Sequence, residues 1–580
     1  MKTRHSLLAV AAAAALLPLA AMTAPNTLQQ GWSDADRAFY YGTPQGTAMY
    51  PAAIMQALEA ADGKPFMSRE NLEQYGVLYP EKNLKVPNNP WDWPIGFVVD
   101  KLPTLGGPKF SVTCAACHTG EVRHKGKRLL IDGGQSVMDI GRMGNDWMRN
   151  FLATDADPAR RERLFKRAVE LGHPTEQMAS DWAKVMTRTR NEATRGSHLA
   201  STAPGPGRLD AVASIATAVF VDGLGNPRNL YPADAPQSYP PLWDIWYFDW
   251  VQSNASASQP MLRNLTEAMG TGPNHFIHPD GTLKPEPDRW RSTYRIQNLY
   301  EIEERLQSLA PPPWPQDVLG PIDTQRAQVG RKLFDKHCAS CHGIKQVEGA
   351  SSPTWHLPMV PLARIGTDPM MVLAMSGRQY DASVLGINRP LNAIEGLNIV
   401  ASKIKAQAYA DAGITAEQAP RYDGFGRKPD LNRDACGYRP RTLMGIWATP
   451  PFLHNGSVPT VDDLLSETRP TRFASGGNDY DPVRMGLAAR GGPGALDFDT
   501  RLRGNSNAGH WFTDDTARPG RIGPALSARD RAALIEYLKA ATRETYPTQT
   551  VSYPTKRPDC PKDPDWAANW LKNLGLPVSN

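Results

Sequence analysis

One five-residue pattern constrains this chain more than any other feature, because it occurs twice. The chain has 580 residues and only six cysteines, and four of these lie in two Cys-x-x-Cys-His motifs. The first motif comprises Cys114, Cys117 and His118, and the second comprises Cys338, Cys341 and His342. Two thiols at this spacing reach the two vinyl groups of one haem, and the next histidine turns back to place its imidazole on the iron. Each motif therefore predicts one covalently bound c-type haem: haem 1 on the first motif and haem 2 on the second.

Paired cysteines also occur in two other kinds of site, redox pairs and zinc sites. A thioredoxin-like redox pair does not need the trailing histidine, and a zinc site collects four protein ligands in one cluster. The remaining cysteines, Cys436 and Cys560, are predicted either to form a disulfide that pins the C-terminal tail or to stay as two unpaired thiols.

The N-terminus has the order of a secretory signal. Lys2 and Arg4 precede an apolar stretch from Leu7 to Ala21, and small residues follow. We predict a signal peptide over residues 1–24, with an uncleaved anchor as the alternative, although about fifteen apolar residues are short for a spanning helix. A periplasmic or secreted location agrees with haem attachment outside the cytoplasm. No membrane span is predicted in the mature chain, and a net charge of +5 is too small to indicate a nucleic-acid partner.

The high proline content predicts a fold with many irregular segments. With 52 prolines in 580 residues, many irregular segments are expected. We predict a mainly α protein with two cytochrome c-like haem domains, long irregular proline-rich loops and little strand. The proline-rich run from Ala310 to Pro315 is the predicted boundary. The N-terminal segment and first haem domain would span residues 25–310, the second domain residues 311–545, and a proline-rich tail residues 546–580.

The second motif has the surroundings of a small helical cytochrome. The segment from Asp323 to His337 predicts a helix that runs into Cys338, with Gly330 permitting close approach of a partner. A capping pair, Ser527 and Asp530, opens a second amphipathic helix far downstream. The first motif lacks such an entry helix, because two glycines and a proline at 106–108 break any helical period.

The sixth iron ligand decides what a c-type haem does. A filled position favours electron transfer, and an open one permits chemistry on O2 or peroxide. His510 lies in the loop just before the terminal helix, where small cytochromes carry this ligand, so it is the candidate for haem 2. Met485 and His454 are the alternatives. No histidine is equally well placed for haem 1, which we predict to be the open site.

Two further segments resemble one known superfamily. The segment from Thr449 to Thr460, TPPFLHNGSVPT, looks like a loop of the bacterial dihaem cytochrome c peroxidases and their relatives, the tryptophylquinone-maturing dihaem enzyme and the rubber oxygenases. The resemblance implies that His454 lies between the haems. It also implies that the backbone carbonyls of Thr449 and Pro451 hold a calcium ion between the domains.

The other segment runs from Pro240 to Trp250 and continues to Gly270. It resembles the peroxidase stretch between an inter-haem tryptophan and a distal-pocket glutamate, which implies these roles for Trp243 and Glu267. The alternatives are core packing for the tryptophan and a solvated helix position for the glutamate.

One departure from the peroxidase pattern affects the ligand assignment. The peroxidases carry a methionine fourteen residues after the loop histidine, whereas this chain has Thr468. A His/His haem 2 with His510 is therefore expected. The form of the loop and the size of the chain favour the rubber-oxygenase branch.

The sequence thus predicts an exported dihaem oxidoreductase. Haem 2 would relay electrons from a small redox protein or other donor, and haem 1 would activate peroxide. The alternatives are O2-dependent cleavage of an apolar polymer such as polyisoprene, and a non-enzymatic electron-transfer cytochrome.

Overall fold

The computed structural model describes residues 26–196, 202–258, 260–270, 276–278, 281–350, 352–425, 436–488 and 495–552. The predicted signal peptide, the tail beyond residue 552 and Cys560 lie outside the described residues. Within those ranges, no helix combines the length and the apolar character that a membrane crossing requires.

Nineteen α-helices occur in the described residues, and most are short. They are α1 Asp34–Gly42, α2 Ala52–Ala57, α3 Arg69–Glu73, α4 Cys114–Cys117, α5 Ile140–Ala156, α6 Pro158–Glu170, α7 Met178–Gly196, α8 Ala211–Ala216, α9 Pro260–Met269, α10 Ile296–Leu306, α11 Gln316–Leu319, α12 Thr324–His337, α13 Ala339–His342, α14 Leu362–Ile365, α15 Met370–Ser376, α16 Ala393–Asp411, α17 Ala419–Gly424, α18 Val461–Leu465 and α19 Ala528–Ala540.

Eighteen strands, each of two to six residues, accompany the helices in the same ranges. They are β1 Asn26–Thr27, β2 Ala48–Pro51, β3 Phe97–Asp100, β4 Lys109–Val112, β5 Thr119–His124, β6 Lys127–Asp132, β7 Arg208–Leu209, β8 Gln237–Ser238, β9 Ile344–Val347, β10 Val360–Pro361, β11 Gly437–Tyr438, β12 Arg472–Ser475, β13 Tyr480–Asp481, β14 Gly486–Leu487, β15 Leu496–Asp499, β16 Trp511–Phe512, β17 Arg521–Gly523 and β18 Thr548–Val551. They pair into two three-stranded sheets, β1-β6-β5 and β2-β4-β3, and six two-stranded ones.

The two helices predicted around the second motif are confirmed. Asp323 caps α12 by accepting from the Arg326 amide, and Ser527 caps α19 by accepting from the Asp530 amide. The helices cross at Gly330, where an added Cβ would lie 1.9 Å from the Ala533 carbonyl oxygen. Such closeness is open only to glycine. The crossing holds the second motif against the terminal helix.

Strands, rather than an entry helix, flank the first motif, whose cysteines lie in the short helix α4. The strand β4 leads into Cys114, and β5 begins directly after His118. β4 pairs antiparallel with β2 and β3, and β5 pairs antiparallel with β6. The absence of an entry helix before Cys114 is therefore confirmed: the strand β4 precedes the motif, and the β5–β6 hairpin follows it.

The main apolar core is shared by residues on both sides of the proline-rich run. Trp314, within that run, packs against Trp447 with ring centroids 5.5 Å apart. The Trp447 indole N–H donates to the Pro312 carbonyl at 3.0 Å. The same core contains Ile131, which follows the first motif, and Phe334, which precedes the second.

The C-terminal part of the described chain returns to the second motif. The strand β18 pairs in parallel with β9, which begins two residues after His342. Cys436 is disulfide-bonded, which agrees with the first of the two alternatives, a disulfide rather than an unpaired thiol. Its predicted partner, Cys560, lies outside the described residues.

Candidate functional site

His510 and His342 face each other across a gap. Their ring centroids are 6.5 Å apart, with an angle of 38° between the planes. Two imidazoles that each bond one metal ion at about 2 Å place their centroids roughly 6 Å apart, so the pair fits both axial positions of one haem iron. Burial lowers the pKa of His510 to about 3, with His342 adding to the shift, so its ring is a neutral ligand.

The backbone holds His510 in an uncommon conformation. Its φ of 53° lies in the left-handed region, which few residues other than glycine adopt. Arg469 stabilises this turn by donating to the Gly509 carbonyl at 2.8 Å and the His510 carbonyl at 3.1 Å. The Arg469 guanidinium also lies 3.8 Å from the centre of the Trp511 ring. Strain of this kind is typical of functional positions.

A cavity of about 300 Å³ surrounds the two histidines. Its lining includes Cys338 and Cys341 of the second motif, and the apolar side chains Phe334 and Leu538 of the two crossing helices.

The polar lining of this cavity gives a test of whether the residues fit a haem. Five buried side-chain atoms of the lining have no hydrogen-bond partner among the described residues: Gln135 Nε2, Ser238 Oγ, Thr367 Oγ1, Arg439 Nη1 and His510 Nδ1. Each can donate to a carboxylate, and buried polar groups normally have partners. Thiols, facing imidazoles, apolar walls and unpaired donors together fit a covalently held haem with its propionates.

The two proximal histidines are oriented in the same way. His118 Nδ1 lies 2.8 Å from the Pro240 carbonyl oxygen, and His342 Nδ1 lies 2.7 Å from the Arg441 carbonyl oxygen. A carbonyl only accepts, so each Nδ1 carries the proton and each Nε2 is left free to bind a metal. Metal-binding histidines characteristically donate their other N–H in this way. The geometry supports both His118 and His342 as iron ligands.

No second imidazole faces His118 within the described part of the chain. The aromatic ring beside it is that of Tyr239, with centroids 6.2 Å apart. Burial lowers the pKa of His118 to about 4, and the nearby Arg263 guanidinium lowers it further. An imidazole faces His342, whereas a tyrosine ring lies beside His118. This difference agrees with an open position on haem 1, and the open position stays a prediction.

Charged side chains cluster beside the first motif. Glu267 accepts from Gln252 Nε2 at 2.7 Å, and its carboxylate adds to the effect of burial in raising the pKa of the Cys114 thiol to about 12. Arg263 pairs with Glu303, which is 3% exposed. The structure thus places Glu267 near the first motif. The Arg263–Glu303 pair was not recognised from the sequence, because its members lie on separate helices, α9 and α10.

Trp243 is 1% exposed and belongs to the main apolar core. Its indole N–H donates to the Met444 carbonyl at 3.1 Å. Arg441, whose guanidinium lies 5.7 Å from the centre of the indole ring, donates to the Trp243 carbonyl at 3.1 Å. The tryptophan is therefore packed beside the residue whose carbonyl orients His342.

His454 lines the same cavity as His342 and His510. Its ring packs on Tyr438 with centroids 4.2 Å apart, and its carbonyl accepts from the Ser238 amide at 2.9 Å. Burial lowers the pKa of His454 to about 3, and Arg208 adds to this. Met485, the other alternative ligand for haem 2, is fully buried in the main core.

Thr449 and Pro451 also line this cavity. No group of three or more His, Cys, Asp or Glu side chains is arranged to hold a metal ion in the described ranges. A calcium site built from the Thr449 and Pro451 carbonyls would not contain such a group, and it stays a prediction.

Comparisons with known proteins agree with a cytochrome. Residues 437–474, which include Arg441 and His454, match a family described as RoxA-like, cytochrome c-like. A cytochrome c-like domain implies a covalently bound c-type haem and suggests an oxidoreductase.

Two uncharacterized proteins of Sinorhizobium fredii (strain NBRC 101917 / NGR234) are similar to the chain over longer stretches. One, y4iM, is 27% identical over 228 residues, which cover 37% of this chain and 46% of that protein. The other, y4iJ, is 34% identical over 567 residues, which cover 88% of this chain and 92% of that protein. The chain therefore belongs to the same family as y4iJ.

Proposed function

We propose that the protein is an exported dihaem c-type cytochrome oxidoreductase that reduces peroxide, with electrons entering from a small redox protein. The observation that carries the proposal is the contrast between the motifs: His510 faces His342 at 6.5 Å, whereas His118 has no facing imidazole among the described residues. When bound, the haems supply one-electron transfer and, at an open iron position, reaction with peroxide or O2.

The chain's own residues would divide the work. His342 and His510 would together hold the second haem iron, which would suit that centre to accept and store an electron. His118 would hold the first haem iron without a second imidazole from the described residues. Glu267, which accepts from Gln252 Nε2 at 2.7 Å, would move a proton at its carboxyl group during O–O cleavage.

A second candidate is O2-dependent cleavage of an apolar polymer such as polyisoprene. The RoxA-like match over residues 437–474 favours it, together with the resemblance of the 449–460 loop to the rubber oxygenases. Product analysis separates the candidates: the purified protein is given either peroxide with a reduced donor, or O2 with polyisoprene.

The ligand arrangement is tested by His510→Ala. The variant should convert one of the two haems from low to high spin, because one axial nitrogen is lost. The spin states are read from absorption and electron paramagnetic resonance spectra. The matched control is His454→Ala, which removes another buried imidazole of the same cavity and should leave both spin states unchanged. A low-spin spectrum in His510→Ala, or a high-spin one in the control, would overturn the assignment.

A further inference from the structure

We propose that Arg441 joins the two proximal histidines into one hydrogen-bonded bridge, through which electrons pass between the haems. The inference rests on the proposed dihaem function. The carbonyl that orients His118 belongs to Pro240, and the carbonyl that orients His342 belongs to Arg441, about 200 residues further along the chain. The Arg441 guanidinium connects these two segments by donating to the Pro241 carbonyl.

The bridge consists of three hydrogen bonds. His118 Nδ1 donates to the Pro240 carbonyl at 2.8 Å. The carbonyl of the next residue, Pro241, accepts from Arg441 Nη1 at 2.8 Å. The backbone carbonyl of the same arginine accepts from His342 Nδ1 at 2.7 Å. The path from the His118 imidazole to the His342 imidazole therefore passes through the Pro240–Pro241 segment and Arg441 alone.

The guanidinium is fixed from several sides. Its second nitrogen, Nη2, donates to the Trp243 carbonyl at 3.1 Å, so two carbonyls of one segment are held by the same planar group. Its centre lies 5.7 Å from the Trp243 ring and 5.8 Å from the Phe248 ring. Burial lowers the pKa of Arg441 to about 10, and the nearby Asp244 carboxylate, which is 1% exposed, opposes this shift. A rigid, planar donor is suited to hold a pathway at constant length.

Trp243 has a different part in this arrangement from the one its resemblance implies. Its backbone carbonyl and ring clamp Arg441, so the indole need not lie on the pathway itself. Arg441 is then the positioning residue, since its guanidinium holds the segment whose Pro240 carbonyl orients His118, and its own carbonyl orients His342.

The electron transfer balances without a proton. One electron leaves a ferrous iron, which becomes ferric, and reduces the ferric iron of the other haem. The Nδ1 protons of both histidines stay in place, because carbonyl oxygens are poor bases. The bridge also predicts that a change at Arg441 shifts the midpoint potentials of both haem irons, since the basicity of each imidazole depends on its carbonyl partner.

The test uses Arg441→Lys in the full-length, haem-loaded protein. Lysine keeps the charge but cannot donate to the Pro241 and Trp243 carbonyls in a fork. The rate of electron transfer between the haems after flash reduction should fall by about tenfold or more, with both midpoint potentials shifted. His342 keeps its own carbonyl partner, so both haems should remain attached and the second should stay low spin.

Arg543→Lys is the matched control. Arg543 donates to Asp244 at 2.5 Å and packs over the Tyr247 ring at 4.9 Å. Among the described residues, none of its hydrogen bonds goes to Pro241 or to the Pro240 and Arg441 carbonyls that orient the two histidines. In Arg543→Lys, the rate of electron transfer between the haems and both midpoint potentials should match those of the wild type.

The outcomes separate the bridge from the proposed function. If Arg441→Lys and Arg543→Lys behave alike, or only one potential shifts, the bridge is refuted while the dihaem function stands. If mass spectrometry finds a single haem on the wild-type chain, the dihaem function and the bridge both fail.

Discussion

The crossing of α12 and α19 gives a prediction whose size follows from the structure. In Gly330→Ala, the new Cβ would lie 1.9 Å from the Ala533 carbonyl oxygen and 2.9 Å from the Tyr537 Cβ. Carbon and oxygen atoms need roughly 3.0–3.5 Å, so the helices must separate by about 1 Å or more. Forced repacking of this kind costs about 1–3 kcal/mol, against about 0.5–1 kcal/mol gained by replacing a helical glycine. We expect a net loss of about 1–2 kcal/mol in the free energy of unfolding.

Gly144→Ala is the matched control, because Gly144 also lies inside a helix, α5. Its added Cβ would meet only Trp147 ring atoms, at 3.8 and 3.9 Å, which is ordinary contact. This variant should be as stable as the wild type or slightly more so. Both are measured by denaturant unfolding of the haem-loaded protein. The reasoning is refuted if Gly330→Ala is as stable as Gly144→Ala.

Two further predictions concern single carboxylates. Burial raises the pKa of Asp368 to about 6, so this group contributes stability that is complete below about pH 4 and is lost as the pH rises through 6. Relative to Asp368→Asn, the wild type should therefore lose about 2 kcal/mol between pH 4 and pH 7 in denaturant unfolding, and parallel pH curves would contradict this. Glu267→Gln should slow peroxide reduction by about 10²- to 10⁴-fold, because the acid for O–O cleavage is lost, with the haem spectra unchanged. A wild-type steady-state rate would remove Glu267 from the mechanism.

Local signals made part of the site predictable. The entry and terminal helices carry their own caps and apolar spacing, so Asp323 and Ser527 mark their starts in the sequence. His510 was found because it occupies a loop defined by the helix that follows. Each cysteine motif contains its predicted haem-attachment residues within five positions, so this prediction does not depend on distant contacts.

The rest depends on long-range contacts, which a single sequence does not display. Nothing near Arg441 in the chain indicates that its guanidinium reaches Pro241, because the two segments meet only through tertiary packing. The strands beside the first motif are too short to give a clear alternating pattern, so the hairpin of β5 and β6 was not predicted. The proximity of His454 to Tyr438 likewise follows from packing.

The apolar core shared across the proline-rich run bears on how the molecule can be divided. Trp314 and Trp447 come from segments more than a hundred residues apart, and each is buried by the other. A fragment that ends at residue 310 would lack Trp314, Phe334 and Trp447, and would leave Ile131 and its neighbours facing water. Heating should accordingly melt the parts that carry the two cysteine motifs in a single cooperative step, so cutting the chain at that run should not yield two separately folded halves.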